Sequence, residues 1–240
     1  MLKYDNRRSD SDSNHNLNKS HYYGVGALDV PPLTPFTGDV DPGVEFIGFN
    51  YARSCRERED RGLHFFVDDY QFNRIWREPD KYLPMMRQFR YVLTPDFSLY
   101  CDWPKAVQQY NHYRKHWCGA WWQDNGVNVI PTLRWSDRES LSWCLDGEPS
   151  GGTVAVSSVG MMGAPDVYHM FCHGFEVALE RLQPSQVLFW GTVPDRYRDV
   201  GLIRRMDDPY RRRLRDLKER GRCKLRDEYR DQGAAAPGGE

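Results

Sequence analysis

Three aspartates follow short apolar runs of the chain and are the side chains best suited to acid–base chemistry. They are Asp68, Asp69 and Asp96. Two carboxylates in different surroundings can divide the acid and base roles that sugar cleavage requires. Carboxylates can instead hold Mg²⁺, which prefers hard oxygen ligands. The sequence therefore predicts Asp68, Asp69 and Asp96 as catalytic groups and leaves the cofactor unknown, with Mg²⁺ as one alternative for these carboxylates.

A second set of polar and aromatic side chains is suited to holding a ligand. Arg134 can pair with a phosphate or carboxylate group, and Trp135 can stack on a planar ring. Hydroxyl and amide groups can orient a substrate. The predicted substrate-binding residues are Ser98, Gln108, Asn111, Arg134, Trp135 and Ser157. A structural alternative stays open, in which Asp68, Asp69 or Ser98 caps the helix that follows it.

Two histidine pairs have helical spacing but do not predict a metal site. His112 and His116 are four residues apart, as are His169 and His173, so each pair shares one face of a predicted helix. Neither pair carries the glutamate of the H-E-x-x-H motif, and no third ligand is evident. We predict no metal ligands among them.

The elements that position these side chains are short buried strands alternating with helices. The strands are predicted at 46–50, 63–67, 91–94, 127–132, 153–157 and 187–191, with a seventh near 200–203. Helices are predicted at 71–89, 104–125 and 165–182. Continuous apolar runs are typical of parallel strands buried on both faces. The fold class is therefore α/β with a mostly parallel sheet and crossover helices, either an incomplete (β/α) barrel or a doubly wound sheet.

In such folds the carboxyl ends of the strands share one rim, where ligands bind. We expect the strands 63–67, 91–94, 127–132 and 153–157 to lie in one parallel sheet. On that arrangement Asp69, Asp96, Ser98 and Arg134 converge on one pocket, with at least one carboxylate perturbed by its neighbours.

The chain divides into four segments by composition. Residues 1–43 are predicted to be a disordered or loosely attached arm, within which 30–35 could lie extended against the domain. Residues 44–203 form the α/β domain. Residues 204–230 are predicted to be a charged helix, and 231–240 a flexible tail.

The net charge of −1 over 240 residues demands neither nucleic acid nor an anionic membrane as partner. The charged helix contains the cluster Arg211, Arg212, Arg213 and Arg215, which could contact nucleic-acid phosphates. No apolar stretch is long enough to span a bilayer, and the start of the chain has no signal-peptide pattern. The six cysteines show no framework spacing and are predicted to be free thiols. These features predict a cytoplasmic protein that does not contact a membrane.

Several strings of the sequence resemble a known family. They are 64–70 (H-F-F-V-D-D-Y), 93–100 (L-T-P-D-F-S-L-Y), 129–135 (V-I-P-T-L-R-W), 144–147 (C-L-D-G) and 154–160 (V-A-V-S-S-V-G). Together with Gln108, Asn111, Tyr113 and Arg114, they resemble the domain-of-unknown-function family numbered 4417, which phages and other mobile elements carry. The resemblance covers roughly 46–195. It implies a phage or bacterial source, with a bacterial host cell as location, and a shared α/β domain, and it supplies no activity.

Two functions follow from these observations. The first is a hydrolase or transferase acting on a nucleotide, sugar or similar polar ligand at the rim. The second is a non-catalytic protein that binds a host protein or nucleic acid through the basic C-terminal helix. Polar residues at strand ends favour the first, whereas exposed residues on helices would favour the second.

Overall fold

The computed structural model describes residues 9–206 of the chain. Eight short strands are formed where apolar and β-branched residues follow one another. They are β1 (Glu45–Gly48), β2 (Arg61–His64), β3 (Tyr91–Leu93), β4 (Val129–Ile130), β5 (Thr132–Leu133), β6 (Thr153–Ser157), β7 (Gln186–Trp190) and β8 (Ile203–Arg205). Within the described residues six α-helices accompany them: α1 (Ser9–Asn14), α2 (Asp69–Phe72), α3 (Arg74–Arg77), α4 (Pro79–Met86), α5 (Lys105–Asp124) and α6 (Pro165–Leu182).

The strands form two four-stranded sheets in the orders β1-β2-β3-β4 and β5-β6-β7-β8, and every neighbouring pair is parallel. This confirms an α/β fold with parallel strands. The strand order follows the sequence without reversing, which is the winding of a (β/α) barrel rather than of a doubly wound sheet. Among the described strands no ladder joins β8 to β1, so the barrel is not closed.

The predicted single sheet is interrupted at Pro131, which separates β4 from β5 within the predicted strand 127–132. Proline has no N–H group, so it cannot donate to the β-ladder. Hydrogen bonds still cross the interruption. The amide of Thr94 donates to Ile130 O at 3.0 Å, and the amide of Ala155 donates to Pro131 O at 2.7 Å.

One apolar cluster is formed by residues from both sheets, and two others pack between the strands and the helices. The shared cluster includes Phe46, Tyr91, Leu93, Ile130, Ala155, Leu188, Trp190 and Met206. The register pairs Ala155 with Leu188 and Leu93 with Ile130, so these residues occupy the same face of neighbouring strands. We call this the inner face. Val154, Val156 and Phe189 alternate with them and pack towards α6.

The helix predicted at 71–89 is three short helices, whereas α5 and α6 match the predictions to within a residue. Glu78 has φ −133° and ψ 58°, a non-helical conformation imposed on the residue before Pro79. Among the described residues no helix is long and apolar enough to cross a bilayer. The described cysteines, Cys55, Cys101, Cys118, Cys144 and Cys172, are free thiols.

The described part of the predicted N-terminal arm lies against the domain. The Tyr22 hydroxyl donates to Asp124 at 2.9 Å, at the end of α5. Leu33 donates its amide to Gly147 O at 2.9 Å, and Val30 and Leu33 are buried. Apolar burial therefore attaches this segment, although its sequence lacks periodicity. At the other end of the domain, residues 203–205 are strand β8 rather than the start of the predicted helix 204–230. The remainder of that helix and the tail 231–240 lie outside the described residues.

Candidate functional site

Polar side chains replace apolar ones on the inner face where the strands end. Ser157 pairs in register with Trp190, which belongs to the inner cluster, and His64 contacts the Trp190 ring at 4.2 Å between centroids. Arg134 follows Leu133, which packs outward, so alternation along β5 brings Arg134 to the inner face. The carboxyl end of the inner face is thus formed by a cation, an imidazole and a hydroxyl group. This is where ligands bind in parallel α/β folds.

Asp96 and Arg134 form the charged pair at this end. Arg134 Nη1 donates to Asp96 Oδ2 at 3.1 Å, and both side chains are mostly buried. The second oxygen, Asp96 Oδ1, is buried and has no hydrogen-bond partner among residues 9–206, and the same is true of Arg134 Nε. Burial raises the pKa of Asp96, the guanidinium of Arg134 opposes that rise, and the nearby carboxylate of Asp69 adds to it. A carboxyl group in this position can hold or release a proton nearer to neutral pH than a solvated aspartate.

Asp69 and Ser98 are brought together, as predicted. The Ser98 hydroxyl donates to Asp69 Oδ1 at 2.8 Å, and the Ser98 amide donates to Asp69 Oδ2 at 3.1 Å. Asp69 therefore ties the loop after β3 to the start of α2 instead of capping its own helix. The four residues predicted to converge form two directly bonded pairs, Asp69 with Ser98 and Asp96 with Arg134. The two pairs are linked because the Asp69 carboxylate acts electrostatically on Asp96.

Gln108 and Asn111 are buried on α5, and their amides hold the loops of the site in place. Asn111 Nδ2 donates to Ser98 O at 2.7 Å. Gln108 Nε2 donates to Trp103 O at 2.9 Å, and its Oε1 accepts from the Ser136 hydroxyl at 2.6 Å. Since both amides are engaged with the protein, these residues position the site rather than contact a ligand.

Of the other predicted residues, Asp68 lies apart from the charged pair, and the side chains of Trp135 and Ser157 are already engaged with the protein. Asp68 is exposed, and its carboxylate accepts a long hydrogen bond from Gln71 Nε2 at 3.5 Å. Trp135 is buried against Phe171 and Gly174, so its faces are not open to stack on a ligand. This orientation results from strand alternation, which sends Trp135 outward when Arg134 faces inward. Ser157 lies on the inner face, and its hydroxyl accepts the Val159 amide at 3.2 Å.

His64 belongs to the site but is not among the residues predicted from the sequence. It lies at the end of β2, and the Phe66 amide donates to its Nδ1 at 3.1 Å. Burial lowers the pKa of His64 to about 3, so the ring is neutral and carries its proton on Nε2. The predicted strand 63–67 placed His64 near the start of a strand. β2 ends at His64, earlier than the predicted strand, and this places His64 at the rim.

A second buried charged cluster lies between α5 and the segment after β5. Lys115 Nζ bonds Glu148 Oε1 and donates to Thr132 O at 3.2 Å. His116 Nδ1 donates to Pro31 O at 2.9 Å, and its Nε2 lies 3.3 Å from Glu148 Oε1. Burial would raise the pKa of Glu148, but Lys115 and His116 outweigh it and the pKa is lowered. This cluster attaches the N-terminal segment to α5.

The residues of the rim do not fit a Mg²⁺ ion, which the sequence left as an alternative role for the aspartates. Both oxygens of Asp69 accept hydrogen bonds from Ser98, and one oxygen of Asp96 is bonded to a guanidinium that a cation would have to displace. Within residues 9–206, no three His, Cys, Asp or Glu side chains are grouped closely enough to hold a metal ion.

The winding and the polar carboxyl end define a barrel-like α/β protein with a candidate ligand site at its rim. The chain belongs to the family described as "Domain of unknown function (DUF4417)", whose model matches residues 22–206. It is 38% identical over 167 residues to the Gene 1 protein of Mycobacterium phage L5, covering 70% of this chain and 72% of that protein. It is 42% identical over 167 residues to the Gene 1 protein of Mycobacterium phage D29, covering 70% of this chain and 62% of that protein. No solved structure matches the chain.

Proposed function

We propose that this phage-associated protein is a hydrolase or transferase that acts on a small polar ligand, of the nucleotide or sugar type, at the carboxyl ends of its strands. We further propose that it does so in the cytoplasm of the bacterial host cell. The observation that carries the proposal is the buried Asp96 carboxyl group, which is paired with Arg134 through one oxygen and unpartnered at the other.

Unpartnered buried polar atoms are costly, and they are tolerated where a ligand or a reaction uses them. A carboxyl group with a raised pKa can donate a proton to a leaving-group oxygen and, once ionised, accept one from an attacking hydroxyl or water. Arg134 stabilises the ionised form through the bond to Oδ2. His64 Nε2–H is a neutral donor at the same end of the inner face, suited to a ligand oxygen. Asn111 and Asp69 are positioning residues, since they hold the loop that carries Asp96.

The experiment compares the wild-type protein with Asp96→Asn and with Asp102→Asn, an exposed aspartate of the same loop. Each purified protein is incubated with a metabolite extract from bacterial cells, and mass spectrometry identifies compounds that are consumed or formed. We expect at least one compound to be converted by the wild type and by Asp102→Asn, with the rate reduced by about 10²- to 10⁴-fold in Asp96→Asn. Conversion that is equal in all three proteins, or absent from the wild type, would contradict the proposal.

The second candidate, binding of nucleic acid or a host protein through Arg211, Arg212, Arg213 and Arg215, concerns residues outside the described range and stays a prediction. A truncated protein distinguishes this second candidate function from the first. Removal of residues 207–240 would abolish binding to a nucleic-acid or host-protein partner and leave chemistry at the rim unchanged.

A further inference from the structure

Three exposed aromatic side chains lie on α2 and on the loop after β3, the two segments beside the charged pair, and we call them the aromatic ledge: Tyr70, Tyr100 and Trp103. Tyr70 is 80% exposed, Tyr100 50% and Trp103 37%. The rings of Tyr100 and Trp103 pack edge to face with centroids 5.0 Å apart. Large aromatic rings contribute most when their faces are covered, so three exposed rings on these two segments form a surface suited to a ligand.

The ledge adjoins the site because α2 and the loop after β3, which carry it, are hydrogen-bonded to each other. Tyr70 follows Asp69, and Asp69 accepts two hydrogen bonds from Ser98. Tyr100 lies two residues after Ser98, and Asp96 lies two residues before it. Consecutive Cα atoms are about 3.8 Å apart. The hydrogen bonds between Asp69 and Ser98 therefore join the segment that carries Tyr70 to the loop that carries Tyr100. The candidate catalytic carboxyl group, Asp96, lies in that same loop.

The charges around the ledge restrict what it can bind. Residues 65–73 and 94–104 contain four aspartates and no lysine, arginine or histidine. An anionic ligand such as a nucleic-acid strand would be repelled by these carboxylates. A cationic ligand that reached Asp96 would meet the guanidinium of Arg134, which is bonded to that carboxylate. A neutral hydroxyl group is compatible with both the carboxylates and the guanidinium, because it can donate to a carboxylate and accept from a guanidinium or an imidazole N–H.

We infer that the aromatic ledge and the Asp96–Arg134 pair together bind a neutral sugar chain, with the apolar faces of its rings on the ledge and its hydroxyl groups on the charged pair. Sites lined by aromatic rings with a few fixed polar groups are the usual form of small-ligand sites. Because one sugar ring cannot cover three exposed aromatic rings and also reach the charged pair, the ligand spans several sugar rings. This inference names the substrate class of the proposed function and rests on it for the chemistry, but not for the binding.

The test is calorimetric titration of the full-length protein with defined probes. The probes are maltohexaose, cellohexaose, chitohexaose, and hexaoses of galactose, mannose and arabinose, each with its monosaccharide, together with hexalysine and a dT hexanucleotide. We expect at least one hexaose to bind at least tenfold more tightly than its monosaccharide and more tightly than either charged probe. The inference is overturned if no hexaose binds, or if hexalysine or the hexanucleotide binds more tightly.

Matched variants assign the binding to the ledge. Tyr70→Ala and Trp103→Ala should each weaken binding of the hexaose by about tenfold, a loss in the range measured for single aromatic contacts. Tyr23→Ala is the control, because Tyr23 is 92% exposed and follows Tyr22, which bonds the far end of α5. Equal affinity of the two ledge variants and the wild type would overturn the inference.

The two proposals can fail separately. A hexaose that binds through the ledge but is neither cleaved nor transferred supports the sugar site and contradicts the hydrolase or transferase. Conversion of a non-sugar compound that depends on Asp96, without binding of any hexaose, supports the enzyme and contradicts the sugar site.

Discussion

The side-chain amide of Asn111 donates to the main-chain carbonyl of Ser98 across 2.7 Å and so fixes α5 to the loop that carries Asp96. The opposite end of the same amide accepts from the guanidinium of Arg114, which lies 4.0 Å from the centre of the Phe97 ring. The long central helix and the loop after β3 are therefore joined by both a hydrogen bond and a cation–π contact.

Asn111→Ala should lower the free energy of unfolding by about 1–3 kcal/mol, because it removes a buried amide and leaves its two partly buried partners, Ser98 O and the Arg114 guanidinium, without it. The measurement is urea denaturation followed by circular dichroism. Asn128→Ala is the matched control, since Asn128 makes the same kind of bond, to Arg90 O, in an exposed position. The control should lose no more than about 0.5 kcal/mol. Equal losses in the two variants would show that the Asn111 bond is not a buried anchor.

Asp96 should make the wild-type protein less stable relative to Asp96→Asn as the pH rises. The pKa of Asp96 is raised in the folded state, so the folded protein holds this proton more tightly than the unfolded chain. The stabilising contribution of the protonated group is complete below the unfolded pKa of about 3.8 and is lost as the pH rises through the folded value. Urea denaturation of both proteins at pH 4 and pH 7 measures the difference. A wild-type protein that gains stability over the variant between these pH values would contradict the shift.

His64 should stay neutral, with its proton on Nε2, throughout the range from pH 5 to pH 8. Its pKa is lowered to about 3 by burial, and its Nδ1 is occupied by the Phe66 amide. Imidazole ¹⁵N chemical shifts across a pH titration report both the charge and the tautomer. A titration midpoint near the unperturbed value of about 6.5 would show that the ring is solvated and that the site is open to water at this position.

The buried Lys115–Glu148 pair should behave as a unit. Lys115→Met and Glu148→Gln should each cost about 3–5 kcal/mol, because each leaves the partner without its charge complement. The double variant should cost clearly less than the sum of the two, which a double-mutant cycle in urea measures. Lys81→Met removes the exposed pair with Glu78 and should cost about 0.5 kcal/mol or less. Additive losses at Lys115 and Glu148 would contradict the coupling.

Much of this fold could be predicted because its buried strands are continuous apolar runs. Strand β6, with all five residues buried, matches its predicted bounds 153–157, and α6 matches 165–182. The interruption at Pro131 and the break at Glu78 before Pro79 arise from backbone geometry at prolines, which an apolar pattern does not reveal. Of the site, the sequence supplied Asp96 and Arg134 through their places after strands. It placed Trp135 among the ligand contacts, although this side chain points away from the inner face, and it omitted His64. The face to which a side chain points depends on where its strand begins and ends.

The measurement that tests the rim site most directly is the mapping of ligand contacts by amide chemical shifts. The wild-type protein is titrated with whichever compound the turnover or calorimetric experiments select, and ¹⁵N–¹H spectra are recorded. We expect the largest changes at the amides of Phe97, Ser98, Trp135 and Val159, which follow the carboxyl ends of β3, β5 and β6. Changes confined to Asn128 and Gly152 at the opposite ends of the strands, or to residues 207–240, would contradict a site at the rim.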